Sequence, residues 1–456
     1  MAAFEAGAAA LSRILVVSAG PFTRQIGGGQ SYTQDLASGL AARGHQVTVL
    51  EPMDAAAEAG EALQSSVWNG IAVWSVRLPL PGETLEEQSS QLSPARIDLF
   101  CQILRNVGPD VVQINGLMPP MVRACNILGI RHVVVAHHPG EVCPKGDLLT
   151  PAGAICTVVP SPAQCGPCVL QCKKGGMGIG RALAALPLEL NRRLGQRLAR
   201  SNPLGYIGRV LYIPWMTEQH LLGQASYLQE AQTLVAPSRS MATALIRAGA
   251  PAERVKVLNH GIHPLARTPI TGLGQRPLRF GFVGRIDHAK GVHVLLKAMQ
   301  MAGIEGKAEL HIYGKATRAK DCAEWAGVLR ALGPVPWLHL QGRFDREQVA
   351  LVYEALDVVV LPAICPESFG LVVAEALSAG RPVLSTRCGG PEDQIEDGVN
   401  GWLVDANNAQ AMSARIRALV GMPHRVLEAA LASISKKGHD EYLDDMLSLM
   451  AVTEIK

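Results

Sequence analysis

Two glutamates stand eight positions apart, Glu367 and Glu375, in the segment Pro366-Glu367-Ser368-Phe369-Gly370-Leu371-Val372-Val373-Ala374-Glu375-Ala376. An apolar run, Val358–Leu361, leads into a short Pro/Glu/Ser/Gly turn and then into an apolar stretch opening near Gly370. The pattern predicts strand, turn and helix in that order. Such a turn aims backbone N–H groups and the positive end of a helix at one point, which makes a seat for phosphate. Glu367 falls in the turn, so its carboxylate can reach hydroxyls beside that phosphate. Glu375 falls about two turns inside the helix, where an acid among apolar residues requires a partner. Two carboxylates flanking a phosphate seat suit a ligand with a sugar at each end of a diphosphate. The plainer alternative is a strand–turn–helix with two solvated acids.

Other residues could serve the same ligand. Arg285 and Lys290 lie in Val283-Gly284-Arg285-Ile286-Asp287-His288-Ala289-Lys290-Gly291, after a predicted strand over residues 279–283. Arginine can grip a diphosphate bidentately and lysine supplies a point charge; surface charge beside a turn is the alternative. Gly27-Gly28-Gly29 separates the first predicted strand from the first helix and permits close backbone approach. Its spacing does not fit the dinucleotide fingerprint. His137 ends a predicted strand over residues 132–136, where it is either a ligand contact or a satisfied structural histidine.

Five cysteines follow within thirty residues: Cys143, Cys156, Cys165, Cys168 and Cys172. Cys165-Gly166-Pro167-Cys168 has the sequence of a thioredoxin redox pair. It follows Pro160-Ser161-Pro162, a loop-like stretch, rather than a strand, which argues against redox use. Four thiolates on a long loop suit a structural tetrahedral zinc, with Cys143, Cys156, Cys165 and Cys168 as the expected ligands. An iron–sulfur cluster, free thiols and a disulfide remain open.

The elements that must position these groups form two series of apolar strands alternating with helices. The first has strands near residues 14–18, 46–50, 110–114 and 132–136, a hairpin over 67–76 with Asn69-Gly70 at its turn, and closes near 255–258. A Pro/Thr/Gly-rich linker spans residues 263–276. The second has strands over 279–283, 309–313, 337–341, 358–361 and 382–386, and a last helix lies near 440–450. Both series predict a parallel sheet covered on both faces, with ligands beyond the carboxyl ends of the strands.

The whole chain sets further bounds. Its 456 residues suffice for two or three domains, and a hydrophobic content of 48% supplies full cores. A net charge of +3 is too small to imply a nucleic-acid partner. No apolar run reaches membrane-spanning length, and the first ten residues carry Glu5 and no basic region, against a secretory signal. Ten cysteines without export signals argue against a disulfide framework. A cytoplasmic protein is expected. Residues 181–200 carry Arg192, Arg193, Arg197 and Arg200 among Leu and Ala, either a packed helix with solvated arginines or one lying on an anionic membrane surface.

Taken in order, these motifs resemble glycosyltransferase family 4. Glu367 to Glu375 is similar to its E-x7-E motif, with Phe-Gly after the first glutamate. Gly27-Gly28 through Arg43-Gly44-His45-Gln46-Val47 resembles its opening. Ala236-Pro237-Ser238, Gly261-Ile262, Val283-Gly284-Arg285 with Lys290-Gly291, Gly380-Arg381-Pro382-Val383 and Asn400-Gly401 resemble its later segments. The resemblance covers nearly the whole chain. It implies the α/β GT-B fold, two Rossmann-like domains facing a cleft: residues 1–262 for the acceptor, with a Cys-rich insertion at about 138–175, and residues 263–438 for the nucleotide sugar. Residues 439–456 would then pack back on the first domain.

The resemblance also implies retaining transfer from a UDP- or GDP-sugar to a glycan or lipid-linked acceptor, without a catalytic metal. By it, Glu367 holds donor-sugar hydroxyls, Glu375 the ribose, and Arg285 and Lys290 the departing diphosphate. Backbone N–H groups of Phe369, Gly370 and Leu371 assist them, the base lies near Arg343 and Phe344, and His137 lies near the reacting sugar. Some members carry Cys-rich insertions. His138, His260 and Lys315 depart from the family pattern, which bears on fine contacts. Two rival readings stand: a metal- or redox-linked binding protein with a degenerate cleft, and a nucleotide-sugar epimerase.

Overall fold

The structure is a computed structural model; it describes residues 12–23, 27–53, 62–80, 83, 92–171, 186–199, 205–422 and 438–451. The strands are β1 Arg13–Val17, β2 Gln46–Pro52, β3 Leu63–Trp68, β4 Ile71–Val76, β5 Val111–Asn115, β6 Arg131–Val135, β7 Thr233–Ala236, β8 Val255–Val257, β9 Leu278–Val283, β10 Ala308–Tyr313, β11 Leu338–Gly342, β12 Val358–Leu361, β13 Val383–Thr386 and β14 Gly401–Val404. The helices used below are α1 Gly28–Ala42, α2 Pro94–Val107, α3 Pro119–Ile127, α4 Pro162–Gln171, α5 Leu188–Ala199, α6 Gly205–Glu230, α7 Arg239–Arg247, α8 Val292–Ala302, α9 Ala319–Leu332, α10 Val349–Glu354, α11 Leu371–Ser378, α12 Ala409–Val420 and α13 His439–Ala451.

The strands form two sheets. One has the order β3-β4-β2-β1-β5-β6-β7-β8, parallel throughout except for the β3–β4 hairpin; the other, β11-β10-β9-β12-β13-β14, is wholly parallel. Alternation along β1 explains why it is central. Leu15 and Val17 enter one core and Ile14 and Val16 the other, all at most 1% exposed. In β12, Val358 and Val360 face one core and Val359 and Leu361 the opposite one. A continuous Val/Ile/Leu run is therefore what a strand covered on both faces requires.

In each sheet the order reverses at one place, between β1 and β5 and between β9 and β12. At such a point adjacent loops leave the carboxyl edge in opposite directions and open a crevice. Gly27-Gly28 follows β1, Gly284–Lys290 follows β9 and Pro366–Gly370 follows β12. The motif residues thus cluster because of topology. The E-x7-E helix opens where expected, with Gly370 as its cap and Leu371 as its first residue, but at 3.6 residues per turn Glu375 lies little more than one turn inside it, not two.

Residues 263–276 cross between the sheets and are fixed from the second one. Arg381, 1% exposed, donates to Thr268 O at 2.6 Å, Thr268 Oγ1 at 2.8 Å and Tyr353 O at 2.9 Å. Arg276 forks onto Asp357 at 2.6 and 2.8 Å. The last helix, α13, packs on the first sheet, where Tyr442, Leu443, Met446 and Met450 join the core under β1 and α1. Its Tyr442 hydroxyl meets that of Tyr32 at 2.6 Å, both rings being buried.

That hydroxyl pair gives a test of how α13 is held. Tyr442→Phe strands a buried hydroxyl on Tyr32 and should cost about 1–3 kcal/mol. Tyr32→Phe with Tyr442→Phe removes both and should recover much of the loss, as read from urea unfolding midpoints of the three variants. Equal losses in the single and double variants would mean that the hydroxyls do not act as a pair.

Candidate active site

The second sheet builds one half of the site. After β9 the chain turns through Gly284 and reaches Asp287, whose carboxylate accepts from Lys290 N at 3.1 Å and from Arg285 Nε at 2.8 Å. This cap fixes both cations on one short loop. The loop can pass β12 only because residue 291 is glycine: φ is +69°, and a Cβ there would lie 1.9 Å from Pro362 O. Beyond it, Lys290 Nζ donates to Glu367 Oε1 at 2.6 Å, so the cation loop and the carboxylate turn meet directly. Burial alone would lower the lysine's pKa, but the carboxylate raises it overall, and the ammonium form is held firmly.

Gly370 caps α11, and Phe369, Gly370 and Leu371 place their backbone at its N-terminus beside that ion pair. Gln394 Nε2 donates to Phe369 O at 2.6 Å and keeps this turn in place. On α11, Glu375 accepts from the buried Tyr353 hydroxyl at 2.7 Å, the partner its position required. Burial raises the Glu375 pKa, against the tyrosine's hydrogen bond. A cavity of about 210 Å³ opens next door, lined by Gly284, Arg285, Tyr313, Lys315, Arg343 and Phe344. Gly314 (φ +144°) closes its floor; a Cβ there would overlap Gly284 O at 1.8 Å. The proposed base-binding residues therefore share one pocket with the phosphate loop.

The first sheet supplies the opposite wall. Gly27 is extended and α1 starts at Gly28, whose Cα faces Leu371: a Cβ on it would lie 3.0 Å from Leu371 Cδ1. His137 follows β6. Its Nε2 contacts Asn115 Oδ1 at 2.8 Å, its amide donates to Glu141 Oε1 at 2.6 Å, and its carbonyl accepts from Ser368 Oγ at 2.5 Å. Desolvation pulls the His137 pKa down to about 3, so the ring is neutral. It stacks on His260 (5.1 Å between centroids) and meets Tyr32 at a tilt (4.4 Å); Tyr32 and His260 are themselves 4.8 Å apart, so the three rings form one cluster, and His260 meets Phe369 edge-on at 5.1 Å. His260, noted as a departure, is thus the buried link between the His137 wall and the E-x7-E turn.

Two ion pairs also cross the cleft. Arg346 reaches Asp35 on α1 at 2.5 Å, and Arg239, at the start of α7, meets Asp393 through its amide (2.6 Å) and Nε (2.9 Å). Tyr32, Asp35, Asn115, Glu141 and Arg346 were not singled out from the sequence. Asn115 alone carried a usable signal, a polar residue closing an apolar strand. Glu141 is 2% exposed, accepts from the His137 and His138 amides and from Tyr227 Oη (2.8 Å), and burial pushes it up to about 7.

The cysteines lie beside this wall. Cys143 O accepts from Gly146 N at 2.8 Å, a short antiparallel bridge joins Leu149 and Ile155, and Cys156 N donates to Leu148 O at 2.7 Å. Cys165 and Cys168 are not on a coreless loop: they lie one turn apart within α4, which packs on α6. Pro162 opens that helix, since a proline there sacrifices no hydrogen bond. Cys143 and Cys156 both act electrostatically on Cys165, whose pKa burial raises. Among the described residues, two groups bring three ligand atoms within 4.8 Å of one another, and neither includes a cysteine. Cys172 lies outside the described residues. A cavity of about 240 Å³ runs from this insertion, at Leu148, Ile155 and Cys156, past Ser240 and Arg247 to Glu367.

Of the basic stretch, α5 is described. Arg192 and Arg193 pair with Glu189 at 2.5 and 2.7 Å, while Leu190 and Leu194 stay exposed beside Arg193. Residues 181–185 and Arg200 lie outside the described residues. No helix among the described residues is long and apolar enough to cross a membrane.

Comparison with known proteins fits this geometry. Residues 27–261 match the family model described as glycosyl transferase 4-like domain, and residues 269–437 that described as glycosyl transferases group 1. The chain is 30% identical over 251 residues to a D-inositol 3-phosphate glycosyltransferase of Xylanimonas cellulosilytica, covering 51% of this chain and 59% of that one. It is 37% identical over 146 residues to the protein of that name in Corynebacterium urealyticum, covering 29% and 32%. The matches thus span about half of these relatives or less. Among solved structures, sucrose-phosphate synthase of Thermosynechococcus elongatus superposes with a TM-score of 0.62 at 18% identity, over 95% of this chain and 94% of that one. Anabaena HepE, solved in complex with UDP-glucose, gives 0.62 at 18%, over 96% and 100%. The fold is therefore GT-B.

The buried Glu141 makes a pH-dependent prediction. Its folded-state pKa lies above the ordinary value, so its stability contribution is full below about pH 4.5 and is lost as pH rises through 7. Glu141→Gln keeps an acceptor for the two amides and removes the titration. Between pH 4.5 and 8 the wild type should lose on the order of 2–3 kcal/mol relative to that variant. Thermal unfolding midpoints of both proteins across that range check it; parallel curves would place the Glu141 pKa in the ordinary range.

Proposed function

The chain belongs to the glycosyl transferase 4-like family, and from that premise we propose that it moves a sugar from a nucleotide-sugar donor to an acceptor hydroxyl with retention of configuration. The observation that carries this reading is the Lys290–Glu367 contact at the N-terminus of α11, directly under the His137 carbonyl. A cation for phosphate and an acceptor for sugar hydroxyls share one point in a cleft. The donor's base takes the pocket at Arg343 and Phe344, its ribose Glu375, and its diphosphate Arg285, Lys290 and the amides of Phe369–Leu371. As the bond from the anomeric carbon to phosphate breaks, charge grows on the leaving oxygen, where these fixed donors stabilise it more than in the ground state. The acceptor oxygen bonds to the same face of the sugar, and its proton leaves with the phosphate. His137, neutral and held by Asn115, positions the sugar rather than taking the proton. No metal enters this step.

A UDP-sugar is the favoured donor, since HepE was solved with UDP-glucose, and a GDP-sugar is the alternative. The acceptor is a glycan or a lipid-linked precursor. The exposed face of α5, with Leu190, Arg193, Leu194 and Arg197, supports peripheral contact with an anionic membrane in a cytoplasmic protein. A structural zinc on Cys143, Cys156, Cys165 and Cys168 would fix the insertion lining the acceptor side; their number and closeness in sequence support it, and their thiols would have to draw together to hold the ion. Nothing in this reading involves nucleic acid.

Thermal shifts with UDP-, GDP- and ADP-sugars identify the donor, and incubation with donor alone separates an epimerase from a transferase. Glu375→Ala should weaken donor binding and Glu367→Ala should lower turnover, each by on the order of 1.5–3 kcal/mol. Wild-type affinity and rate in both would refute the assignment. Arg285→Ala and Lys290→Ala should lower kcat more than they raise KM; a change in KM alone would place these cations in ground-state binding instead.

A further inference from the structure

The outer edge of the second sheet carries a cluster that the transfer reaction does not use. Glu309 and His311 are two positions apart on β10, so they share one face of the sheet. Register pairs His311 with His339 on the edge strand β11, which puts the second imidazole beside the first. The rings stack 4.7 Å apart. His311 Nε2 lies 3.3 Å and His339 Nε2 3.8 Å from the same oxygen, Glu309 Oε2. All three ligand atoms fall within 4.8 Å of one another. The His339 Nε2 atom is shielded from solvent and has no hydrogen-bond partner.

We propose that Glu309, His311 and His339 form a binding site for a zinc-like transition-metal ion. Two ligand atoms on one tetrahedral zinc, each about 2.0–2.2 Å from it, are about 3.3–3.6 Å apart, close to the spacing here. The backbone does the positioning, because two paired strands fix all three Cβ atoms before any ion arrives. Gln341, two positions beyond His339, has its Nε2 3.1 Å from His311 Nδ1, the amide's nitrogen and oxygen being interchangeable by a flip. Turned so that its carbonyl faces the ring, Gln341 accepts the Nδ1 proton and leaves the Nε2 lone pair for the metal.

The choice of ion follows from the surroundings. Arg279 is paired with Glu309 across β9, and Arg276 also acts on that carboxylate. One carboxylate beside two guanidinium groups cannot hold Mg²⁺ or Ca²⁺, which need several oxygen ligands. Imidazole nitrogens bind zinc, nickel or cobalt by a bond that tolerates such a field. The ion would tie the edge strand to its neighbour just before Tyr313 and Arg343, residues that line the adjoining pocket.

The test uses the full chain, stripped with EDTA and titrated with ZnCl₂ by calorimetry, beside His311→Asn/His339→Asn and Glu309→Gln. The wild type should bind one equivalent more than the double-histidine variant, and Glu309→Gln should weaken that equivalent at least ~10-fold. Cobalt(II) in the same site should give visible bands without sulfur-to-metal charge transfer, unchanged by Cys143→Ser/Cys165→Ser. Equal stoichiometry in the wild type and a double-histidine variant with unchanged metal-free unfolding would overturn the proposal. If that variant does not fold, an unaltered zinc isotherm for Glu309→Gln overturns it.

Discussion

The contact between Lys290 and Glu367 is what the rest of the cleft is arranged around. An ammonium and a carboxylate 2.6 Å apart, each largely shielded from water, are costly to desolvate and add little to stability. Their value lies in position. The pair joins the loop after β9 to the turn after β12 at the place where the strand order reverses. Every supporting feature serves that join: the Asp287 cap, the glycine that lets residue 291 pass Pro362 O, and the Gln394 bond to Phe369 O. Lysine has three N–H donors, and the glutamate takes one. The others are left for a second partner, which in the proposed function is the donor's diphosphate.

The opposite wall is built by different means. Where the second sheet uses charge, the first uses stacked rings. Tyr32, His137, His260 and Phe369 run from α1 to the E-x7-E turn, with Tyr442 of the last helix behind them. Ring contacts of this kind tolerate small changes in angle. The bonds that cross the cleft do not: Ser368 to His137 O, Arg346 to Asp35 and Arg239 to Asp393 need close geometry. A half built on the Lys290–Glu367 pair thus faces a half built on packed rings, to which Asp35 and Arg239 add the charges that bridge the cleft. Burial alone keeps His137 neutral within that cluster of rings, with Asn115 on its Nε2.

Much of this was legible in the sequence because it is local. Apolar runs gave the strands, the hairpin at Asn69-Gly70 and the two-sheet plan. Motif order placed Arg285, Lys290 and Glu367 beyond strand ends and Glu375 inside the helix that follows. The parts that escaped are those made by pairing distant segments. Gly401–Val404 is only four residues long and reads as a strand only when β13 lies beside it. The long helix α6, interrupted by Pro214, has no clean apolar stripe, because α4 and α5 both pack on it. Asp35 and Arg346 are ordinary surface charges until the two domains meet. The Cys165–Cys168 stretch read as loop because prolines flank it, yet a proline at the first position of a helix is favourable.

The two glutamates of the motif illustrate how position, rather than residue type, divides the work. Glu367 sits in the turn before α11 with its Oε1 held by the Lys290 ammonium. Glu375 sits among apolar residues with a tyrosine hydroxyl on one oxygen, and burial raises its pKa. A carboxyl group so placed leaves its second oxygen for a hydroxyl partner and excludes water from the pocket around it. The spacing of eight fixes this difference. Gly370 must end the turn before α11 can begin, and Glu375 must then lie one turn farther along to reach Tyr353. Moving it by one position would swing it about 100° around the helix, away from Tyr353. The motif is therefore a statement about helix geometry: one acid before the helix beside Lys290, and one acid inside it beside Tyr353, the two positions to which the proposed function assigns the two ends of the donor.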